Sequence, residues 1–196
     1  MIAFIFPGQG SQSIGMGKEL FDTFKEAREV FQEVDDTLSQ KLSTIIFEGD
    51  IEELTKTENT QPALMAVSMA TLRVIEKQSG KSITELCSYL AGHSLGEYSA
   101  YCAGKSLSIS DTARLLRIRG NAMTHADTEE IGAMAALIGA TLTQAESLCV
   151  AVKDFGLCQI ANDNGAGQIV ISGMRSAIEK TFEFQEELDM NSTGPK

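Results

Sequence analysis

The sequence predicts an α/β fold in two parts, and three observations carry that expectation. Ile2 to Phe6 is a continuous apolar run, followed at once by Pro7 and by glycines at 8, 10, 15 and 17. That is the pattern of a parallel strand covered on both faces and ending in a flexible loop. A second apolar approach, Ile83 to Ala91, leads into Gly92-His93-Ser94-Leu95-Gly96, and a short small-residue stretch to Ala103 follows. Strand, sharp turn and helix are the setting in which Gly-X-Ser-X-Gly presents a serine hydroxyl at the carboxyl end of a sheet. From Gly132 onward the patterns run strand, helix, strand, strand, helix, one strand short of a ferredoxin-like unit.

Taken in order, Lys18 to Val34 is amphipathic, with Leu20, Phe24, Ala27, Phe31 and Val34 at three- and four-residue spacing. Leu38 to Phe47 reads as a less regular connector. Thr60 is placed to cap the next helix and Pro62 to fill its first turn, with Leu64, Val67, Thr71 and Val74 inward and Gly80 at its end. A strand over 83–91 then enters the turn at Ser94. Ser110 caps the following helix, Asp111 lies in its first turn, and Leu115, Ile118, Ala122 and Met123 form its apolar stripe. Arg119 borders that stripe. The polar run His125 to Glu130 marks a boundary.

Beyond it, Gly132 to Ile138 is a strand, and Thr143 with Glu146 makes a capping box. Ala145, Leu148, Cys149 and Val152 face inward. Cys158 to Ala161 and Gln168 to Ser172 are strands joined by the turn Asn162 to Gly167. Ser176 to Leu188 is a helix with Ile178, Phe182 and Leu188 inward. The expected division is therefore 1–127, then 128–190 without its last strand, then a polar tail over 191–196.

Composition narrows the function. With 196 residues and 43% hydrophobic content the chain holds one sizeable core, or one core and a small subdomain. Its 27 acidic and 16 basic residues give a formal charge of -11, which repels phosphate backbones and argues against nucleic acid as a partner. Cys87, Cys102, Cys149 and Cys158 have the spacing of neither a zinc site nor a redox pair. His93 and His125 are the only histidines, so a His-rich metal site is excluded. The apolar start is short and lacks a basic flank, so neither signal peptide nor membrane span is expected, and the compartment reads as cytoplasmic. The glycine loop after Phe6 has no Gly-Lys-Ser/Thr ending and no dinucleotide spacing. It is instead a natural second wall for a site at Ser94.

Phe6-Pro7-Gly8-Gln9-Gly10-Ser11-Gln12, Thr60-Gln61-Pro62-Ala63-Leu64, Ala91 to Ala100, Arg119-Gly120, Gly132 to Ala136 and Gln168 to Gly173 occur in this order along nearly the whole chain. Together they resemble the malonyl-CoA:acyl-carrier-protein transacylase family of bacterial fatty acid synthesis. The resemblance implies an α/β-hydrolase-like large domain with a ferredoxin-like small domain. It implies Ser94 as nucleophile, Gln9 and Leu95 as backbone oxyanion donors, Arg119 as the clamp on the malonyl carboxylate, and Gln61 and His93 as pocket residues. The implied reaction is ping-pong, from malonyl-CoA to Ser94 and then to the phosphopantetheine thiol of acyl-carrier protein. No metal or cofactor is implied.

The family's catalytic base is a histidine returning after the small domain, and no histidine follows His125. The chain is accordingly expected to be a truncated transacylase, incomplete in its large domain and small domain alike. Its base would lie beyond Lys196, its activity alone would be low, and apolar edges would favour self-association. The alternatives are a related polyketide-type acyltransferase, a serine acyl hydrolase and a non-catalytic fragment that binds carrier protein.

Overall fold

The structure is a computed structural model that describes residues 1–126, 131–185 and 191–193. It is an α/β protein whose chain divides into two units, Met1–Ala126 and Asp127–Lys196. The expected boundary at 127/128 falls outside the described residues.

The first unit begins with β1 (Ala3–Phe6), then α1 (Lys18–Thr23), α2 (Lys25–Leu38), α3 (Leu42–Glu48), α4 (Ile51–Thr55) and α5 (Thr57–Ser79). It continues through α6 (Ile83–Leu86), β2 (Tyr89–Gly92), α7 (Leu95–Ala103) and α8 (Ile109–Thr124). β1 and β2 pair in parallel from Ala3–Tyr89 to Phe6–Gly92, so both strands end at the same edge. The strand is not covered on both faces as its apolar run suggests. Phe6 is buried and Phe4 packs on the core, whereas Ile5 is 76% exposed. A continuous apolar run does not reveal which alternate residues face the core.

The long amphipathic pattern of 18–34 is split at Phe24, which is extended and ends α1. The break sets Phe21 against Phe31 and Phe47, with ring centroids 5.9 and 5.1 Å away. The connector of 38–47 is largely helix α3, held by fully buried Leu42 and Ile46 one turn apart. α5 begins earlier than expected. Thr60 is not its cap but a buried residue whose hydroxyl donates to the Leu54 carbonyl at 2.6 Å, and Pro62 lies inside the helix.

Two further differences bear on the site. Residues 83–86 are helical, not strand, because Ser82 and Glu85 close a capping box; β2 starts only at Tyr89. Ser108, not Ser110, caps α8 by accepting from the Asp111 N–H at 3.0 Å, while Ser110 donates to Glu33. The buried face of α8 also differs from the expected one. Ile109, Thr112, Ala113, Leu116 and Gly120 face the core, and the expected stripe is outside, with Ile118 64% exposed. Small residues win this face because α8 crosses α5 at contact distance. A Cβ on Gly120 would stand 2.5 Å from the Glu58 Cα.

The second unit runs β3 (Gly132–Ile138), α9 (Leu142–Ala151), a 3-10 turn over Lys153–Phe155, β4 (Cys158–Asp163), β5 (Gln168–Met174), α10 (Arg175–Gln185) and β6 (Asn191–Thr193). The sheet order is β4-β5-β3-β6, antiparallel throughout. Ala133, Ala135 and Leu137 alternate inward on β3 and meet Ala145, Leu148, Ile169, Ile171 and Ile178. The capping box of α9 is Thr141 with Gln144, two residues earlier than expected from Thr143 and Glu146.

The expected polar tail is corrected by β6, which pairs with the free edge of β3 through Ile138–Asn191 to Ala136–Thr193. Backbone hydrogen bonds alone can add an edge strand, so Asn-Ser-Thr needs no apolar alternation to do so. The unit therefore does not lack its last strand. Leu188 and residues 194–196 of the expected tail lie outside the described residues.

Candidate active site

Ser94, Arg119 and Gln61 all belong to the first unit. β1 and β2 end side by side, so the loop after Phe6 and the turn at Ser94 share one edge of the sheet. Ser94 has φ 55° and ψ -116°, a backbone conformation that a non-glycine residue adopts only at a cost of about 1–3 kcal/mol. The turn is held by neighbours on both sides. The His93 N–H donates to the Phe6 carbonyl at 3.2 Å, the Gly96 N–H to the His93 carbonyl at 2.9 Å, and the Glu97 N–H to the Ser94 carbonyl at 3.1 Å.

The glycines are there because nothing larger fits. A Cβ on Gly92 would stand 1.9 Å from the Gly96 carbonyl carbon, and one on Gly96 would stand 2.3 Å from the Phe6 carbonyl oxygen. Both clashes are with backbone, which no rotamer relieves. Gly92→Ala is therefore expected to destabilise the first unit by at least about 3 kcal/mol. Denaturant unfolding checks this, and a loss under about 1 kcal/mol would show that the turn relaxes.

Three arginines lie on α8, and the structure separates their roles. Arg114 pairs with Asp111 at 3.2 Å on the surface. Arg117 turns to Asn59, 3.1 Å from its amide oxygen, and to Gln40; burial pushes its guanidinium below the ordinary range. Arg119 faces the turn. Its Nη2 donates to Ser94 Oγ at 3.1 Å and its Nη1 to Gln61 Oε1 at 2.6 Å. Its guanidinium carbon lies 5.8 Å from the Tyr98 ring centroid, within cation–π range.

Gln61 is fully buried on α5. Its amide nitrogen lies 3.3 Å from the Met123 sulfur, and the amide oxygen is thereby left to Arg119. The close crossing at Gly120 brings these two helices near enough for that contact.

The structure thus brings together Ser94, Arg119 and Gln61. His93 is exposed beside Ser94 on the elbow, and its ring lies against the glycine loop: a Cβ on Gly8 would meet His93 Nδ1 at 2.8 Å. Gln9 is exposed on that loop, and Leu95 opens α7 with its side chain buried. His125 Nδ1 lies 2.7 Å from the Asn121 carbonyl, at the end of its own helix. Tyr98 and Met123 join the site without being among the residues that the sequence motifs assign to it. Tyr98 lies one helical turn beyond Ser94, a spacing that shares a face. Met123 belongs to the expected apolar stripe that α8 turns away from the core.

Among the described residues, no group of three His, Cys, Asp or Glu side chains is arranged to hold a metal ion. No helix among them is long and apolar enough to cross a membrane.

Residues 3–191 match the family model described as the acyl transferase domain. The chain is 48% identical over 187 residues to the malonyl CoA-acyl carrier protein transacylase of Bacillus subtilis strain 168, covering 95% of this chain and 57% of that protein. Its fold is similar to a crystal structure of acyl-carrier-protein-S-malonyltransferase from Bartonella henselae, with a TM-score of 0.94 and 56% identity, over 98% of this chain and 62% of the other. It is also similar to a malonyl-transacylase solved in complex with its type II PKS acyl-carrier protein, with a TM-score of 0.87 and 35% identity, over 99% of this chain and 62% of that one. The chain therefore spans roughly three-fifths of the length of these relatives.

Proposed function

The chain belongs to the acyl transferase domain family, and on that premise we propose that it carries the acyl-serine site of a malonyl transferase. In this reading malonyl-CoA acylates Ser94 Oγ, coenzyme A leaves as its thiol, and the phosphopantetheine thiol of an acyl-carrier protein takes the malonyl group from the serine. The reaction serves fatty acid synthesis in the cytoplasm and uses no cofactor.

One observation carries the proposal: the serine on the strained turn is hydrogen-bonded to a guanidinium, Arg119 to Ser94 Oγ at 3.1 Å. A serine hydrolase acting on neutral acyl groups has no use for that cation. An acyl group ending in a free carboxylate does, because a guanidinium offers paired N–H donors to it. Gln61 and Tyr98 fix the guanidinium from behind, so the donors are oriented before the substrate arrives.

The N–H of Leu95, first in α7, has no partner within its own helix by helix geometry, and we assign it with the Gln9 N–H to the developing oxyanion. His93 and Gln61 line the pocket. The proton of Ser94 goes to a histidine base, as the family resemblance implies. The parallel β1–β2 pair with its elbow supports an α/β-hydrolase-like reading of the first unit. The strand order β4-β5-β3-β6 supports a ferredoxin-like reading of the second.

The test is a chase. Protein acylated from malonyl-CoA is mixed with holo acyl-carrier protein or with buffer alone. Transfer to the carrier thiol faster than release of malonate supports the proposal. Release at the same rate with and without carrier protein would make the chain a hydrolase.

A further inference from the structure

We infer that Cys149 and Cys158 form an oxidant-responsive dithiol that closes to a disulfide in the presence of a peroxide. Cys149 lies in the last turn of α9 and Cys158 opens β4. Their spacing suggests no pair, yet the two sulfurs lie 3.5 Å apart. Both thiols are half-buried against the core of the second unit. Cys87 and Cys102 are also free thiols, but Cys87 Sγ lies 3.4 Å from the Ile83 carbonyl and Cys102 is buried.

The contact makes the two sulfurs unequal. The Cys158 thiol donates to the Cys149 sulfur, and this bond holds the Cys149 thiol below its ordinary range against burial and the charge of Glu146. The same bond, with burial, pushes Cys158 up. Cys149 is therefore the attacking sulfur and Cys158 the resolving one.

Cys149 thiolate attacks one oxygen of hydrogen peroxide. The O–O bond breaks, Cys149 becomes a sulfenic acid, and hydroxide leaves to take up a proton. The Cys158 sulfur then attacks the sulfenic sulfur. The S–O bond breaks, the S–S bond forms, and the departing hydroxide leaves as water with the Cys158 proton. Two thiols and one peroxide give one disulfide and two waters. A disulfide is about 2.0 Å long, so the sulfurs must close by about 1.5 Å. β4 is an edge strand with one neighbour, β5, which leaves Cys158 room to make that move.

The experiment treats the purified chain with hydrogen peroxide, alkylates the remaining thiols after denaturation, and maps peptides without reduction. Trypsin cuts after Arg119, Lys153 and Arg175, so the disulfide joins peptides 120–153 and 154–175. The expected result is that linked pair, with Cys87 and Cys102 alkylated, formed at least tenfold faster than in the urea-unfolded chain. In Cys158→Ser, dimedone should instead trap a sulfenic acid on Cys149. Peroxide that leaves both cysteines alkylatable, that carries Cys149 to sulfinic acid without the link, or that links the unfolded chain as fast, overturns the inference.

Discussion

Replacing Ser94 by alanine is expected to abolish covalent acylation by malonyl-CoA, a loss of at least about 10³-fold in the rate of adduct formation. The turn itself should survive, because the hydroxyl is exposed and the backbone bonds of His93, Gly96 and Glu97 do not involve it. Circular dichroism of the variant should therefore match the parent. Intact mass measurement over time checks the loss, and retained labelling would remove Ser94 from the nucleophile role.

Arg119→Ala is the second large effect. A charge-assisted hydrogen-bond pair contributes about 2–3 kcal/mol, so acylation from malonyl-CoA should fall about 30- to 150-fold. Acetyl-CoA has no free carboxylate at the acyl end, and its slower acylation should change little. The comparison within one variant separates recognition from damage. Arg119 also satisfies the buried oxygen of Gln61, and removing it leaves that oxygen unpaired at a stability cost of about 1–3 kcal/mol. Structural damage lowers both substrates together, whereas loss of the clamp lowers malonyl alone. Equal losses would remove Arg119 from the role of clamp on the malonyl carboxylate.

Much of this site is legible in the amino-acid sequence. Gly92 and Gly96 announce a turn too tight for a Cβ, and the contact distances state that requirement in ångströms. The motif order also selects Arg119 and Gln61, which lie 58 residues apart and meet at 2.6 Å. Periodicity, by contrast, misassigns α8. Its large apolar residues draw attention to Leu115 and Ile118, but the buried face includes Ala113 and Gly120, and it is Gly120 that approaches α5 at Glu58. Close helix crossing rewards small side chains, and hydrophobicity alone ranks them low.

The strand expected over 83–91 fails for a local reason that is present in the sequence, the Ser82–Glu85 capping box. β6 escapes notice for the opposite reason. An edge strand formed by backbone pairing leaves little mark in side-chain pattern. The Cys149–Cys158 contact depends on where α9 ends beside β4, and no spacing rule encodes that.

The most direct measurement is peptide-level mass spectrometry of this chain after malonyl-CoA, with and without added imidazole. Imidazole in solution can stand in for the histidine base that the proposed reaction requires. The account expects a malonyl adduct on tryptic peptide 82–105, which holds Ser94, forming faster as imidazole is raised and absent in Ser94→Ala. An adduct confined to another peptide, or one that persists in Ser94→Ala, would contradict it. So would a folded chain that acquires no malonyl group under either condition.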